Sequence, residues 1–137
     1  MQTEELESIK ECSSPPLAGK KLILLSEMKG LDEMVKMSLG CDVQQISPGD
    51  VSRKDLVLDG VNGILDAWSL DMKTSSYPKD WKKEGELALK ALFTISKELD
   101  PVLKDGGYFL SITRMGGRFG LARDVNPFNG AIAGFTK

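Results

Sequence analysis

The side chains that could do chemistry in this sequence are carboxylates, hydroxyls, thiols, lysine amines and arginines, and the 137 residues include no histidine. The missing imidazole excludes Ser-His-Asp and Cys-His nucleophile activation, and every histidine metal ligand, from what this chain does alone. Cys12 and Cys41 lie far apart and form no C-x-x-C pair, which predicts free thiols rather than a zinc ribbon or a redox dithiol. A formal net charge of -2 provides no electrostatic footprint for nucleic acid or an anionic membrane.

One carboxylate, Asp66, ends a predicted strand, and Glu27, Thr113 and Lys137 stand after or beyond other predicted strands. This layout resembles a response-regulator receiver domain, in which an acidic cluster holds Mg²⁺ and an aspartate accepts phosphate. A hard cation prefers more carboxylates than the single one after the first strand. The interval from Asp66 to Thr113 is also long for one compact βα unit. We therefore favour a solvated or capping role for Asp66 and keep the receiver-like phosphoacceptor as an alternative.

Two glycine-containing segments are candidates for a phosphate loop. Residues 26–30 (SEMKG) follow the first predicted strand, but a dinucleotide turn needs several glycines and only Gly30 is present. Glu27 in the same segment would repel a phosphate. Residues 113–120 (TRMGGRFG) contain three glycines and two arginines, but their spacing matches no phosphate loop. Both segments are predicted to be ordinary connections.

The elements that must position these residues alternate along the chain. Residues 1–16 are predicted to be a polar tether. The apolar content of the whole chain, 41%, is sufficient to build one hydrophobic core over residues 17–137. The apolar pattern predicts strands within 17–26, 42–46, 61–68 and 108–113, and helices at 31–39, 51–60, 87–104 and after Pro127. Residues 70–86 are predicted to be an exposed loop. This order indicates an α/β fold with a truncated Rossmann-like, doubly wound parallel sheet of about four to five strands, with helices on both faces.

Three segments carry a resemblance to a known family. They are LAGKKLILLSEMKGLDEMVKMSLGCDV (17–43), GGYFLSITRMGGRFGL (106–121) and NPFNGAIAGFTK (126–137). These resemble the short-chain dehydrogenase/reductase family. More closely, they are similar to the ketoreductase region of type I polyketide synthases and multifunctional fatty acid synthases, including the polyunsaturated type.

The catalytic positions of that family are altered in this sequence. When residues 134–137 (GFTK) are set on the family's Gly-Phe-Thr-Lys, the catalytic tyrosine position falls on Val125 and the lysine position on Asn129. The serine position falls at about Thr113 or Arg114. Valine has no proton to give to a carbonyl, and no Tyr-x-x-x-Lys occurs anywhere in the chain. The third predicted strand ends in LDAW where the catalytic family presents Asn-Asn-Ala-Gly.

The resemblance therefore implies the N-terminal structural subdomain of such a ketoreductase, a fragment of a larger multidomain chain without catalytic residues or bound cofactor. NADPH is implied for the missing catalytic half, which reduces β-ketoacyl groups on an acyl carrier protein. The expected face toward that half is apolar and near the C-terminal helix: Phe119, Leu121, Phe128, Ile132 and Phe135. A divergent active reductase is a further alternative.

The first residues contain no apolar signal region and no run is long enough to span a membrane, so we expect a cytoplasmic protein.

Overall fold

The computed structural model describes residues 17–51, 56–71, 81–113 and 128–136. The strands are β1 (Lys21–Leu25), β2 (Asp42–Ile46), β3 (Gly63–Asp66) and β4 (Tyr108–Ser111). The helices are α1 (Leu31–Leu39), α2 (Pro48–Val51), α3 (Trp81–Glu98), α4 (Asp100–Lys104) and α5 (Phe128–Phe135), and a 3₁₀ helix covers Trp68–Leu70. The predicted tether and the glycine-rich segment after Thr113 lie outside the described residues.

The four strands form one parallel sheet in the order β2-β1-β3-β4. Leu22 and Leu24 of β1 face α1, which contributes Leu31 and Val35 to that cluster. Ile23 and Leu25 face the other way, into a cluster built with α2 and α3. Strands buried on both faces explain the continuous apolar run of β1, which is typical of a parallel sheet with helices on both sides. The predicted α/β, Rossmann-like, doubly wound architecture is confirmed.

Helix α1 and strand β2 begin and end where the sequence predicts them. The apolar residues of α1 recur at helical spacing, and Gly40 ends the helix with φ 65° while its N–H donates to Lys36 O at 2.9 Å. Glycine adopts this left-handed conformation without the steric cost that a Cβ adds.

The helix expected at 51–60 begins earlier than predicted: the short helix α2 covers Pro48–Val51, and residues 52–55 lie outside the described residues. Pro48 has a fixed φ suited to a first turn, and Ser47 Oγ accepts the N–H of Asp50 at 3.3 Å. The described residues beyond it, 56–60, contain no helix. The turn residues at 47–50 therefore start a helix rather than only reversing the chain.

The long helix expected at 87–104 is also different in detail. It begins six residues earlier, at Trp81, and it is interrupted at Leu99, so that α3 and α4 are separate helices. Pro101 at the start of α4 has no N–H to continue the helical hydrogen bonds.

In the part of the chain that the structure describes, no helix has both the length and the hydrophobicity needed to cross a bilayer.

Candidate functional site

The carboxyl ends of β1 and β3 form the crevice in which doubly wound folds bind ligands. β1 pairs with β2 on one side and β3 on the other, and the helices that follow β1 and β3 pack on opposite faces of the sheet. This is a topological switch point. Ser26 directly follows β1 and Asp66 is the last residue of β3, and each is only 1% exposed.

The carboxylate of Asp71 accepts hydrogen bonds from the turn between β1 and α1. Asp71 Oδ2 accepts the backbone N–H of Glu27 at 2.7 Å, and Asp71 Oδ1 accepts the hydroxyl of Ser26 at 2.9 Å. The Met28 N–H donates to Ser26 Oγ at 3.1 Å. Gln45 on β2 fixes the same turn, since its Nε2 donates to the carbonyls of Ser26 and Met28 at 3.0 and 2.9 Å.

These contacts engage two backbone donors, the N–H groups of Glu27 and Met28, in the turn that a dinucleotide fold uses for pyrophosphate. In that fold the N–H groups of the first βα turn and the N-terminus of the next helix bind the phosphate oxygens. Here the N–H of Glu27 binds Asp71 and that of Met28 binds Ser26. An incoming phosphate would have to displace a carboxylate of the same charge. A carboxylate bound at this turn therefore disfavours a phosphate at the same donors.

Asp66 lies at the end of β3, beneath helices α3 and α5. Its Oδ1 accepts the backbone N–H of Trp68 at 3.2 Å, and its Oδ2 accepts the hydroxyl of Ser111 at 3.4 Å. Burial raises the pKa of Asp66 to about 6; the charge of Asp71 acts in the same direction and the two hydrogen bonds oppose it. Burial disfavours the charged form because water no longer solvates it.

A closed apolar cleft adjoins Asp66 and leaves no room for a ligand. It is lined by Trp68, Leu92 and Ile132, among others. Ile132 of α5 is 2% exposed and packs with Trp68 and Ala88. Ile132, expected on the face toward a partner, thus stabilises the chain's own helix packing.

An open apolar groove lies between the outer surfaces of α3 and α5. Its lining residues are Leu89, Lys90, Phe93, Thr94, Ala131 and Phe135, and it encloses about 650 Å³. Phe93 is 59% exposed and Phe135 is 37% exposed. Phe135 was expected on a partner face, but Phe93 was missed. The available signal was its position off the buried stripe Ala91, Leu92, Ile95 and Leu99, on the otherwise polar side of α3.

Most other predicted positions cannot be placed. Arg114, Val125, Phe119 and Leu121 lie outside the described residues. Phe128 and Asn129 begin helix α5, but their side chains are not among those described. Thr113 is described, and it lies two residues beyond Ser111, the last residue of β4. The partner-face hypothesis as a whole therefore stays a prediction.

The residues of the receiver-like alternative differ in exposure, and one of them lies outside the described part of the chain. Asp66 is buried, Glu27 is exposed, and Lys137 lies outside the described part. Within that part, no three His, Cys, Asp or Glu side chains come together in a group that could hold a metal ion.

Cys41 is a free, buried thiol, and burial raises its pKa.

Comparison with protein-family models, with curated proteins and with solved structures finds no match to this chain.

Proposed function

We propose that this chain is a non-catalytic structural subdomain of a β-ketoacyl reductase in a polyketide or fatty acid synthase. It packs against the catalytic half and stabilises it. That half holds NADPH and reduces β-ketoacyl groups on an acyl carrier protein. A cytoplasmic location belongs to the same proposal.

The observation that carries the proposal is the carboxylate of Asp71 in the turn between β1 and α1. It keeps the Glu27 N–H and the Ser26 hydroxyl engaged at 2.7 and 2.9 Å, where an active reductase needs free donors for cofactor phosphate. A Rossmann-like sheet whose first βα turn binds a carboxylate of the same chain agrees with a subdomain that binds no cofactor. The altered positions Val125 and Asn129 support the same conclusion from the sequence.

The groove between α3 and α5 supports the packing part of the proposal. Phe93 and Phe135 are large aromatic side chains left substantially exposed, with Leu89 and Ala131 between them. Contiguous exposed apolar surface of this kind usually marks a protein contact. Interface hot spots are enriched in aromatic side chains that fill pockets on the partner. We assign this groove, rather than the buried Ile132, to contact with the catalytic half.

The test uses a catalytic ketoreductase half from a synthase of the resembled family, produced without its own structural half. Adding this chain should raise the melting temperature of that half and its NADPH-dependent reduction of a β-ketoacyl thioester. Phe93→Glu should abolish both effects, because it places a charge in the apolar groove. Met37→Glu on α1, at a side chain that is 87% exposed, should leave both unchanged and is the matched control.

A nucleotide titration decides between this proposal and a divergent active reductase. NADPH fluorescence should show no saturable binding to the chain alone, because Asp71 occupies the phosphate turn. Saturable binding, or a catalytic half that is indifferent to the chain, would overturn the proposal.

A further inference from the structure

The two edges of the sheet differ in chemistry. The edge strand β2 carries the charged Asp42 together with Gln44 and Gln45. The opposite edge strand, β4, has the sequence YFLS and is followed by Ile112, with no charged side chain. Sheet edges are usually protected by charges, because unpaired backbone groups otherwise pair with another chain. By this criterion β2 is protected and β4 is not.

The backbone of β4 presents hydrogen-bonding groups outward at alternate residues. Tyr108 N–H donates to Asn62 O at 3.0 Å and Ile112 N–H donates to Asp66 O at 2.8 Å, so these residues point toward β3. The N–H and C=O of a strand residue lie on the same side and alternate with its neighbours. Phe109 and Ser111 consequently direct both their N–H and C=O to the open edge.

Apolar side chains accompany this edge on both faces of the sheet. Leu110 and Ile112 lie on the α1 face, where they are 37% and 41% exposed. On the other face the ring of Phe109 lies 5.9 Å from that of Phe135, which is itself 37% exposed. A strand added beside β4 would therefore bury apolar surface above and below the sheet.

We propose that β4 pairs antiparallel with β4 of a second copy of this chain, about a two-fold axis at Leu110. In that register Phe109 faces Ser111 of the other copy, and the two residues exchange both backbone hydrogen bonds. Leu110 stands opposite its own counterpart, in the type of pair that brings side chains closest. Ile112 stands opposite Tyr108.

A second copy fits this edge because the edge is self-complementary. The outward donors and acceptors are symmetric about Leu110, and the absence of charge on β4 means that like charges do not meet across the axis. The β2 edge would bring the charged Asp42 into such a pairing. This inference goes beyond the proposed function, since it concerns the backbone edge of β4 centred on Leu110, which adjoins the α3–α5 groove only at Phe135.

Sedimentation equilibrium and light scattering on the full chain test the association. At increasing concentration the mass should approach that of two chains. Leu110→Lys should weaken the dimer at least about tenfold, because it removes the Leu–Leu contact and sets two ammonium groups opposite each other. Leu87→Lys, at a leucine of similar exposure (41%) on α3, should leave the dimer intact. A chain that stays monomeric at all concentrations, or a dimer insensitive to Leu110→Lys, refutes the proposal.

Cysteine crosslinking tests the register independently of affinity. In a Cys12→Ser background, Leu110→Cys should form an intermolecular disulfide under mild oxidation, because directly opposed Cα atoms lie about 4.5 Å apart. Ile112→Cys should not, because its counterpart in the other copy is several residues further along the strand. Equal crosslinking at both positions would contradict the register. Neither experiment involves the catalytic half, so failure here leaves the proposed function standing.

Discussion

Asp66 is a carboxyl group placed where its ionised form is poorly solvated. It is 1% exposed at the end of β3, and the two hydrogen bonds that it accepts do not offset the loss of water. Its pKa of about 6 in the folded chain lies above the ordinary aspartate value of about 3.9 that applies after unfolding. Ionisation of Asp66 at neutral pH therefore opposes folding.

The sign of the effect gives a prediction for Asp66→Asn. Well below the unfolded-state pKa of about 3.9, aspartate is protonated in both states, so its burial costs no charge. As pH rises from about 4 to about 6, the wild type loses on the order of 3 kcal/mol of unfolding free energy that asparagine does not lose. The free energy of unfolding of Asp66→Asn, minus that of the wild type, should thus increase between these pH values.

Urea unfolding across this pH range measures that difference. The exposed Asp59→Asn provides the control for the loss of one negative charge elsewhere. A difference between Asp66→Asn and wild type that does not change with pH would mean that Asp66 does not titrate as described.

Asp71 stabilises the turn between β1 and α1 by accepting hydrogen bonds from Glu27 and Ser26, which precede it in the sequence by 44 and 45 residues. Asp71→Ala should lower the free energy of unfolding by about 1–2 kcal/mol, because the Glu27 N–H and the Ser26 hydroxyl lose their acceptor. Asp71→Asn keeps one acceptor oxygen and should lose less. Urea unfolding of the three chains gives the order; three equal stabilities would show that water replaces the carboxylate at no cost.

The sequence predicts where these residues stand but not what they contact. Asp66 was placed correctly at the end of a strand, because the apolar run before it is local. The apolar side chains beside it include Leu92 of α3 and Ile132 of α5, and the contact of Asp71 with Ser26 joins distant parts of the chain, so neither follows from local spacing. Asp71 fell in the predicted exposed loop and was not recognised as a turn ligand.

At the scale of elements, the pairing of β3 with β4 depends on a close backbone approach at Gly63. A Cβ added there would lie 2.2 Å from the carbonyl oxygen of Tyr108. Gly63→Ala must therefore push the two strands apart, and we expect a loss of roughly 2 kcal/mol or more in the free energy of unfolding.

Gly49→Ala is the matched control for this substitution. The nearest atom to its added Cβ is Ser47 Oγ at 3.9 Å, and alanine favours the helix α2 in which it lies. Thermal unfolding of both variants should show a lower melting temperature for Gly63→Ala alone. A Gly63→Ala protein as stable as Gly49→Ala would mean that β4 can shift away from β3 freely.

The predicted elements hold best where a single physical signal dominates. The helical spacing and terminal glycine of α1 fix its bounds, and the polar turn after Ile46 ends β2. The boundary of α2 was missed because its first turn depends on Pro48 and the Ser47 cap, which also occur in simple turns. The break before α4 depends on Pro101, whose effect was hidden by an apolar stripe that continues to Leu103.

For the whole molecule, two exposed apolar surfaces with different chemistry adjoin at Phe135. The α3–α5 groove is a side-chain surface centred on Phe93 and Phe135. The β4 edge offers backbone hydrogen bonds together with Leu110. A helix groove selects by shape, whereas an open strand selects a partner that can extend the sheet. The two surfaces can therefore serve different partners.

We accordingly expect the two associations to separate by mutation. Phe93→Glu should abolish binding to a catalytic ketoreductase half while the chain still forms dimers, because Phe93 lies outside the β4 edge. Leu110→Lys should produce a monomer that still binds and stabilises the catalytic half. Light scattering on each variant, with and without the catalytic half, distinguishes the four combinations. If one substitution removed both associations, the groove and the edge would act as a single interface, and the assignment of separate partners would be wrong.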